Sequence, residues 1–218
     1  MKIHNTIRVI IILTFFVITA CQNDETEADI YHYLEETAIH EETLGTTRDE
    51  MAELEDDEHQ LYTDLIEQSF DDQETIEKYV EEAEQLIAER LQLVNQEKEH
   101  MKRSQEEFSQ IEPLINEVAN EDTQASAKKM YEIMLKRYDI YDEWYEKYVE
   151  RLDQEEVLYD LFLEEEFDLG KVNKQVETIN QSYDEAQLIL DEFSEQTKKY
   201  NEAKKAFYEQ SDLNIAFD

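Results

Sequence analysis

Cysteine, glycine, proline and basic residues are all scarce in this chain of 218 residues, and each scarcity closes off a class of protein. The single cysteine, Cys21, permits no intramolecular disulfide, so a disulfide-stapled scaffold is excluded. Two glycines and one proline are too few for an all-β chain with many tight turns. Gly45 and Gly170 stand far apart and leave no glycine-rich phosphate loop. Lysine and arginine number 20 against 57 acidic residues, a formal net charge of −37 at pH 7. The imbalance is steepest over residues 21–70, where 17 acids face Arg48 as the one base. Such a surface repels phosphates, so no nucleic-acid partner is expected. Anionic lipid headgroups and phosphate-rich polymers are repelled in the same way unless divalent cations intervene. Solubility outside the cell is the plain reading of this charge.

What is present is helical periodicity. The organising stretch is 127–162, where Tyr131, Tyr138, Tyr145, Leu152 and Tyr159 fall seven apart. Ala127, Met134, Tyr141, Tyr148, Glu155 and Phe162 form a second row three or four residues away. Two such rows make one stripe along a helix, the seam of a coiled-coil-like bundle, and other helices must cover it. The same periodicity weighs against intrinsic disorder, the competing reading of an acidic chain.

Three further rods follow the pattern. The first spans about Thr26 to Gln68, with rows Ile30, Thr37, Leu44, Met51, Glu58, Leu65 and Tyr33, His40, Thr47, Leu54, Leu61. It has the weakest seam, and Gly45, about 1 kcal/mol worse than Ala in a helix, predicts an irregularity near Leu44–Thr47. The second rod begins after a turn at Ser69–Asp72, with Asp71 and Glu74 as a capping-box variant. Its rows are Ile76, Ala83, Arg90, Glu97, Ser104, Ile111, Val118 and Val80, Ile87, Val94, Met101, Phe108, Ile115. Pro113 predicts a kink or an early end there. Asp122 or Thr123 is expected to cap the third rod and Asp168 the fourth. The fourth carries Leu169, Val176, Tyr183, Leu190 and Val172, Ile179, Ala186, Phe193, Tyr200, Phe207, fraying after about Ser211.

Rods of similar length joined by short turns predict an all-α fold, an elongated up-and-down four-helix bundle with coiled-coil-like packing. Each rod would be roughly 65 Å long at 1.5 Å per residue. A monomer is expected; a three-helix arrangement or a dimeric coiled coil is the rival.

Residues 1–20 read as a signal peptide. Lys2 and Arg8 form a positive start, and the apolar run Val9–Val17 falls short of the about 20 residues that cross a membrane. Ile18-Thr19-Ala20-Cys21 resembles the lipobox of bacterial lipoprotein signal peptides. That resemblance implies cleavage after Ala20, acylation of Cys21 with diacylglyceryl and palmitate, and a membrane anchor. The domains expected are 1–20 signal peptide, 21–27 lipidated tether, 28–212 bundle and 213–218 frayed tail.

The phrases Met130-Tyr131, Met134, Arg137-Tyr138, Tyr141, Tyr145 and Tyr148 resemble the YkyA-type family of cell-wall-binding lipoproteins of Gram-positive bacteria. So do Glu58, Leu61 and Tyr62 in the first rod and Ile179-Asn180-x-Ser182-Tyr183 in the fourth. The resemblance implies a four-helix bundle on the outer face of the cytoplasmic membrane. It carries a wall-binding label and no catalytic motif.

Candidate chemistry is sparse. Glu97 with His100, and Asp56 with His59, come near the Glu-x-x-His spacing of di-iron bundles. The two pairs fall far apart in axial register, so no metal, other cofactor or catalytic residue is assigned. Arg90 and Glu155 face inward by phase and within one turn of each other. Either they form an ion pair that fixes register, or their stems line the seam while the charges reach water. Trp144, beside the seam, is expected to be partly exposed, a possible contact for a sugar ring, while Tyr145 and Tyr148 belong to the core. The functional expectation is a non-enzymatic, lipid-anchored module of the cell surface that binds wall. The alternatives are a docking module for a membrane or secreted protein and, lower, a metal-binding bundle.

Overall fold

The computed structural model describes residues 20–68, 72–211 and 213, with side chains from residue 25 onward. Most of the signal peptide expected over 1–20, the turn residues 69–71 and most of the tail expected over 213–218 lie outside the described residues. Helices account for nearly all the rest: α1 Ala20–Glu41, α2 Leu44–Ile66, α3 Gln73–Phe108, α4 Ile111–Ile115, α5 Glu121–Asp160 and α6 Leu169–Gln210. No strand occurs among the described residues.

The first rod is two helices. α1 and α2 part at Glu42–Thr43, at a run in which Thr43, Gly45, Thr46 and Thr47 are weak helix formers. Residues 21–27, expected as a tether, instead belong to α1, and Thr26 and Glu27 are buried. They sit three and four residues before Ile30, so they continue its inward row. Pro113 also acts earlier than its own position. It has no N–H for the carbonyl of Ser109 and its ring crowds that carbonyl, so α3 stops at Phe108 and the chain restarts as α4.

Caps follow simple chemistry. Asp72, rather than the Asp71 of the expected box, caps α3 by accepting from the Thr75 N–H at 3.3 Å. Asn120, rather than Asp122 or Thr123, caps α5 by accepting from both of their N–H groups, at 2.9 and 3.1 Å. Its extended backbone just before the first turn places Oδ1 over those unpaired donors. Asp168 caps α6 through the Gly170 N–H at 2.8 Å.

The broadest interface is α5 on α6; α1 and α2 both lie on α3, and α3 lies on α5. Every residue of both inward rows of α3 and α4 is buried, from Ile76 to Val118. Phe108, fully buried, stacks on Tyr131 at 5.3 Å and meets Tyr138 and Tyr200 edge-on, both at 6.1 Å. Each such contact contributes about 0.5–1.5 kcal/mol beyond area burial. Between α6 and the α1–α2 rod the contacts are made by long side chains. In the second half of α1, Lys204 and the Tyr208 hydroxyl reach Glu35, both at 3.2 Å, and Tyr31 packs on Tyr208.

Two inward rows differ from expectation by one residue. In α6, Tyr183 and Leu169 are exposed, while Ser182, Gln196 and Ala203 are buried beside Phe193, Tyr200 and Phe207. In the first rod, Tyr33, His40, Thr47, Leu54 and Leu61 are only half-buried. In the row Leu34, Glu41, Arg48, Glu55, Tyr62, the three charged residues reach across to α5, Arg48 also meets Phe193 of α6, and Tyr62 packs on Phe162 just past the end of α5.

Candidate binding cleft

α5 has three inward rows, and the third decides the electrostatics: Thr123, Met130, Arg137, Trp144, Arg151 and Leu158, all buried. It faces the row Glu41, Arg48, Glu55 at a constant sequence offset. Arg137 forks onto Glu41, donating at 2.9 and 2.7 Å, and Ser104 donates to the same carboxylate at 2.6 Å. Two turns on, the Arg48 guanidinium lies 5.0 Å from the centre of the Trp144 ring and donates to Glu97 at 3.0 Å. Two turns further, Arg151 donates to Glu55. Heptad spacing on both helices makes a charged layer about every 10 Å along the rods. Two-pronged guanidinium–carboxylate contacts fix direction as well as distance.

Trp144 is therefore 4% exposed, not the partly exposed contact expected of it. Its phase puts it on a row that faces the first rod, and Tyr141 and Tyr148 pack on it at 5.7 and 5.3 Å.

The last layer is the largest. Arg90, 1% exposed, donates through Nη2 to Glu155 at 2.6 Å and also to Glu58, while its Nη1 stands 3.7 Å from Glu55. Arg151 Nε lies 3.3 Å from Glu155. Arg90 and Glu155 are thus adjacent, and they belong to a group of five with Glu55, Glu58 and Arg151. Burial alone would lower the Arg90 pKa, but Glu155 and Glu58 outweigh it and hold the guanidinium charged. Glu58 is pushed up to about 7, first by burial and then by the charge of Glu155, with Arg90 and a hydrogen bond from Tyr159 opposing. Three carboxylates share two guanidiniums, so one acid is left to hold a proton near neutrality. The inward position of Glu58 was legible in its row. Arg151 and Glu55 were missed because charged residues do not register in an apolar pattern.

This layer floors a cleft of about 480 Å³ between α2 and α6, lined among others by Glu55, Tyr62, Arg90, Tyr159, Ile179 and Tyr183. A smaller hollow of about 200 Å³ shares Glu55, Arg151 and Tyr183 with it and reaches Trp144 and Arg48. The Arg151 guanidinium lies 4.6 Å from the Tyr148 ring centre and 5.3 Å from that of Tyr183. Glu58 and Tyr62 come from α2, and Ile179, Asn180 and Tyr183 from α6. Two of the phrases singled out in the sequence therefore meet across one opening. His59 lines the cleft rim and His100 lies on the outer side of α3. Among the described residues no three His, Cys, Asp or Glu side chains are grouped to hold a metal ion. No described helix is long and apolar enough to cross a membrane.

Fold and site together define an all-helical protein whose rods are keyed by buried ion pairs and which opens a cleft on one side. The chain belongs to the YkyA family, described as "Putative cell-wall binding lipoprotein", whose model matches residues 25–210. It is similar to the uncharacterized lipoprotein YkyA of Bacillus subtilis (strain 168), 26% identical over 199 residues, covering 91% of this chain and 89% of the relative. Its fold is similar to the 1.6 Å crystal structure of a conserved Staphylococcus aureus protein of unknown function. That likeness has a TM-score of 0.72 at 16% identity, over 84% of this chain and 93% of the other.

Proposed function

We propose that the protein is a non-enzymatic cell-surface module, an up-and-down four-helix bundle anchored by acylated Cys21, which binds a cell-wall component through the α2–α6 cleft. Membership of a lipoprotein family over residues 25–210 carries this reading. The bundle topology is supported by the ion pairs, whose numbers rise and fall together between α1–α2 and α5 and run oppositely between α3 and α5. The ionisable groups of the cleft are tied to one another, which suits recognition better than proton transfer to a substrate.

The anchor gives the cleft a place. α1 starts at Ala20, so a lipid on Cys21 leaves no loose spacer between membrane and bundle. Glu58 lies roughly 50 Å further along the rod at 1.5 Å per residue, which carries the cleft outward from the bilayer. The negative surface is repelled by anionic headgroups and favours that upright stance.

Two experiments test the reading. Metabolic labelling with an alkynyl fatty acid marks the wild-type chain and spares Cys21→Ala, which is shed into the medium; a labelled Cys21→Ala chain refutes the anchor. Sedimentation with purified peptidoglycan, with and without Mg²⁺, retains wild type and loses Tyr183→Ala. Equal retention of the two refutes the cleft as the binding site, and no retention under either condition refutes wall binding.

A further inference from the structure

Resting on the reading that the α2–α6 cleft is the binding site, we propose that its ligand presents a primary ammonium on a short apolar stem. The ammonium meets the carboxylates of Glu55, Glu58 and Glu155, and the stem lies against Leu158, Val176 and Ile179.

Charge count is the first ground. The five-residue layer holds three carboxylates and two guanidiniums, all lining the cleft, and exposed Asp56 adds a fourth acid at the rim. One more cation completes the layer. The cleft walls supply the second ground. Leu158, Val176 and Ile179 are apolar, and Tyr62, Tyr159 and Tyr183 present aromatic rings. Arg151 over the ring of Tyr183 shows one of these faces receiving a cation. Third, Arg90 is buried in the floor with its Nε–H lacking an acceptor, a donor suited to a carbonyl oxygen of the same ligand. A lysine-like residue of a peptide has all three features. An anionic ligand meets a surface of the same sign, while a cationic one is drawn toward it.

Binding displaces a proton. Around Glu58 stand Glu55 and His59 on its own helix, Arg90 on α3, Glu155, Arg151 and Tyr159 on α5, and Tyr183 on α6. With Glu58 protonated the layer is neutral, so an arriving ammonium exchanges for that proton. The ammonium, with its pKa near 10, stays charged across the relevant window. Affinity is full above the Glu58 pKa of about 7 and falls below it.

Titration calorimetry on the full mature chain in detergent tests this with Nα-acetyl-lysine methylamide and its Nε-acetylated twin. The free amine is expected to bind and the twin not. Affinity at about pH 6 is expected to be about tenfold below that at about pH 8.5, with nearly one proton released at the lower pH and almost none at the higher. Glu58→Gln, checked for fold by circular dichroism, weakens binding and abolishes the proton release. Tyr183→Ala weakens binding and keeps it. Glucosamine, whose ammonium sits on a hydroxylated ring without an apolar stem, is expected to bind more weakly; binding as tight as that of the lysine probe overturns the assignment of the stem. Equal binding of the two lysine probes, binding without pH dependence, or no binding of any amine at several millimolar overturns the proposal. If peptidoglycan retention still depends on Tyr183 in that event, the wall-binding reading stands while the ammonium assignment falls.

Discussion

Replacing Arg90 by methionine removes the guanidinium that Glu58 and Glu155 share while keeping much of the side-chain volume. Both carboxylates are under 10% exposed and lose their nearest cation. Breaking a buried ion pair from one side costs about 3–5 kcal/mol. A chain of this size loses about 2–4 °C of Tm per kcal/mol, so the midpoint should fall by about 10 °C. The loss must depend on pH with a definite sign. Without Arg90 the folded-state pKa of Glu58 rises further above its unfolded value. At low pH the Glu58 carboxyl is neutral in the variant and the penalty is small; above neutrality it must ionise without its partner or hold its proton at a cost, and the penalty is full. Urea unfolding, followed by far-UV circular dichroism and Trp144 fluorescence at about pH 5 and about pH 8.5, reads this directly. The triple variant Arg90→Met, Glu58→Met, Glu155→Leu should recover most of the loss, since no charge is then stranded. An unchanged midpoint for the single variant at high pH refutes the reasoning, as does a loss of equal size at both pH values.

Three other outcomes follow from the same geometry. Glu58 keeps a proton in the folded state up to about pH 7 and loses it near 4.5 when unfolded, so its contribution to stability declines as pH rises between those values. The stability of Glu58→Gln relative to wild type should therefore improve by about 3 kcal/mol from about pH 4 to about pH 8.5, measured by chemical denaturation. Gly45 has a helical backbone with negative φ, and nothing lies within 4 Å of the place a Cβ would occupy, so Gly45→Ala should stabilise by about 0.5–1 kcal/mol. Trp144 is the one tryptophan and is buried, so its emission should be blue and shielded from acrylamide; Trp144→Ala should cost about 3–5 kcal/mol in the same unfolding assay.

How legible the molecule was varied from rod to rod. Both rows of α3, including the charged Arg90 and Glu97, lie where their spacing put them. There the apolar residues outnumber the polar ones, and the phase is unambiguous. In α1–α2 and in α6 one row was legible and the other was displaced by one position. One residue is a rotation of about 100° on a helix, so the error turns a whole row outward. Leu54 and Leu61 drew the reading toward themselves because hydrophobicity was the measure. The rods are instead joined there by Glu41, Arg48 and Glu55, which an apolar pattern scores as surface.

By itself the sequence determined that the chain is helical, that aromatic stripes on long rods must be buried against one another, and that the exterior is acidic and repels phosphates. Periodicity does this because each helix sorts its own residues by face without reference to its neighbours. Tertiary structure alone decided that Arg137 meets Glu41, that Arg151 meets Glu55, and that Trp144 is covered. It also decided that α2 and α6 stand far enough apart to leave an opening over three carboxylates and two guanidiniums. Those facts depend on distances between helices that are far apart in the chain, and no local pattern encodes how closely two rods approach.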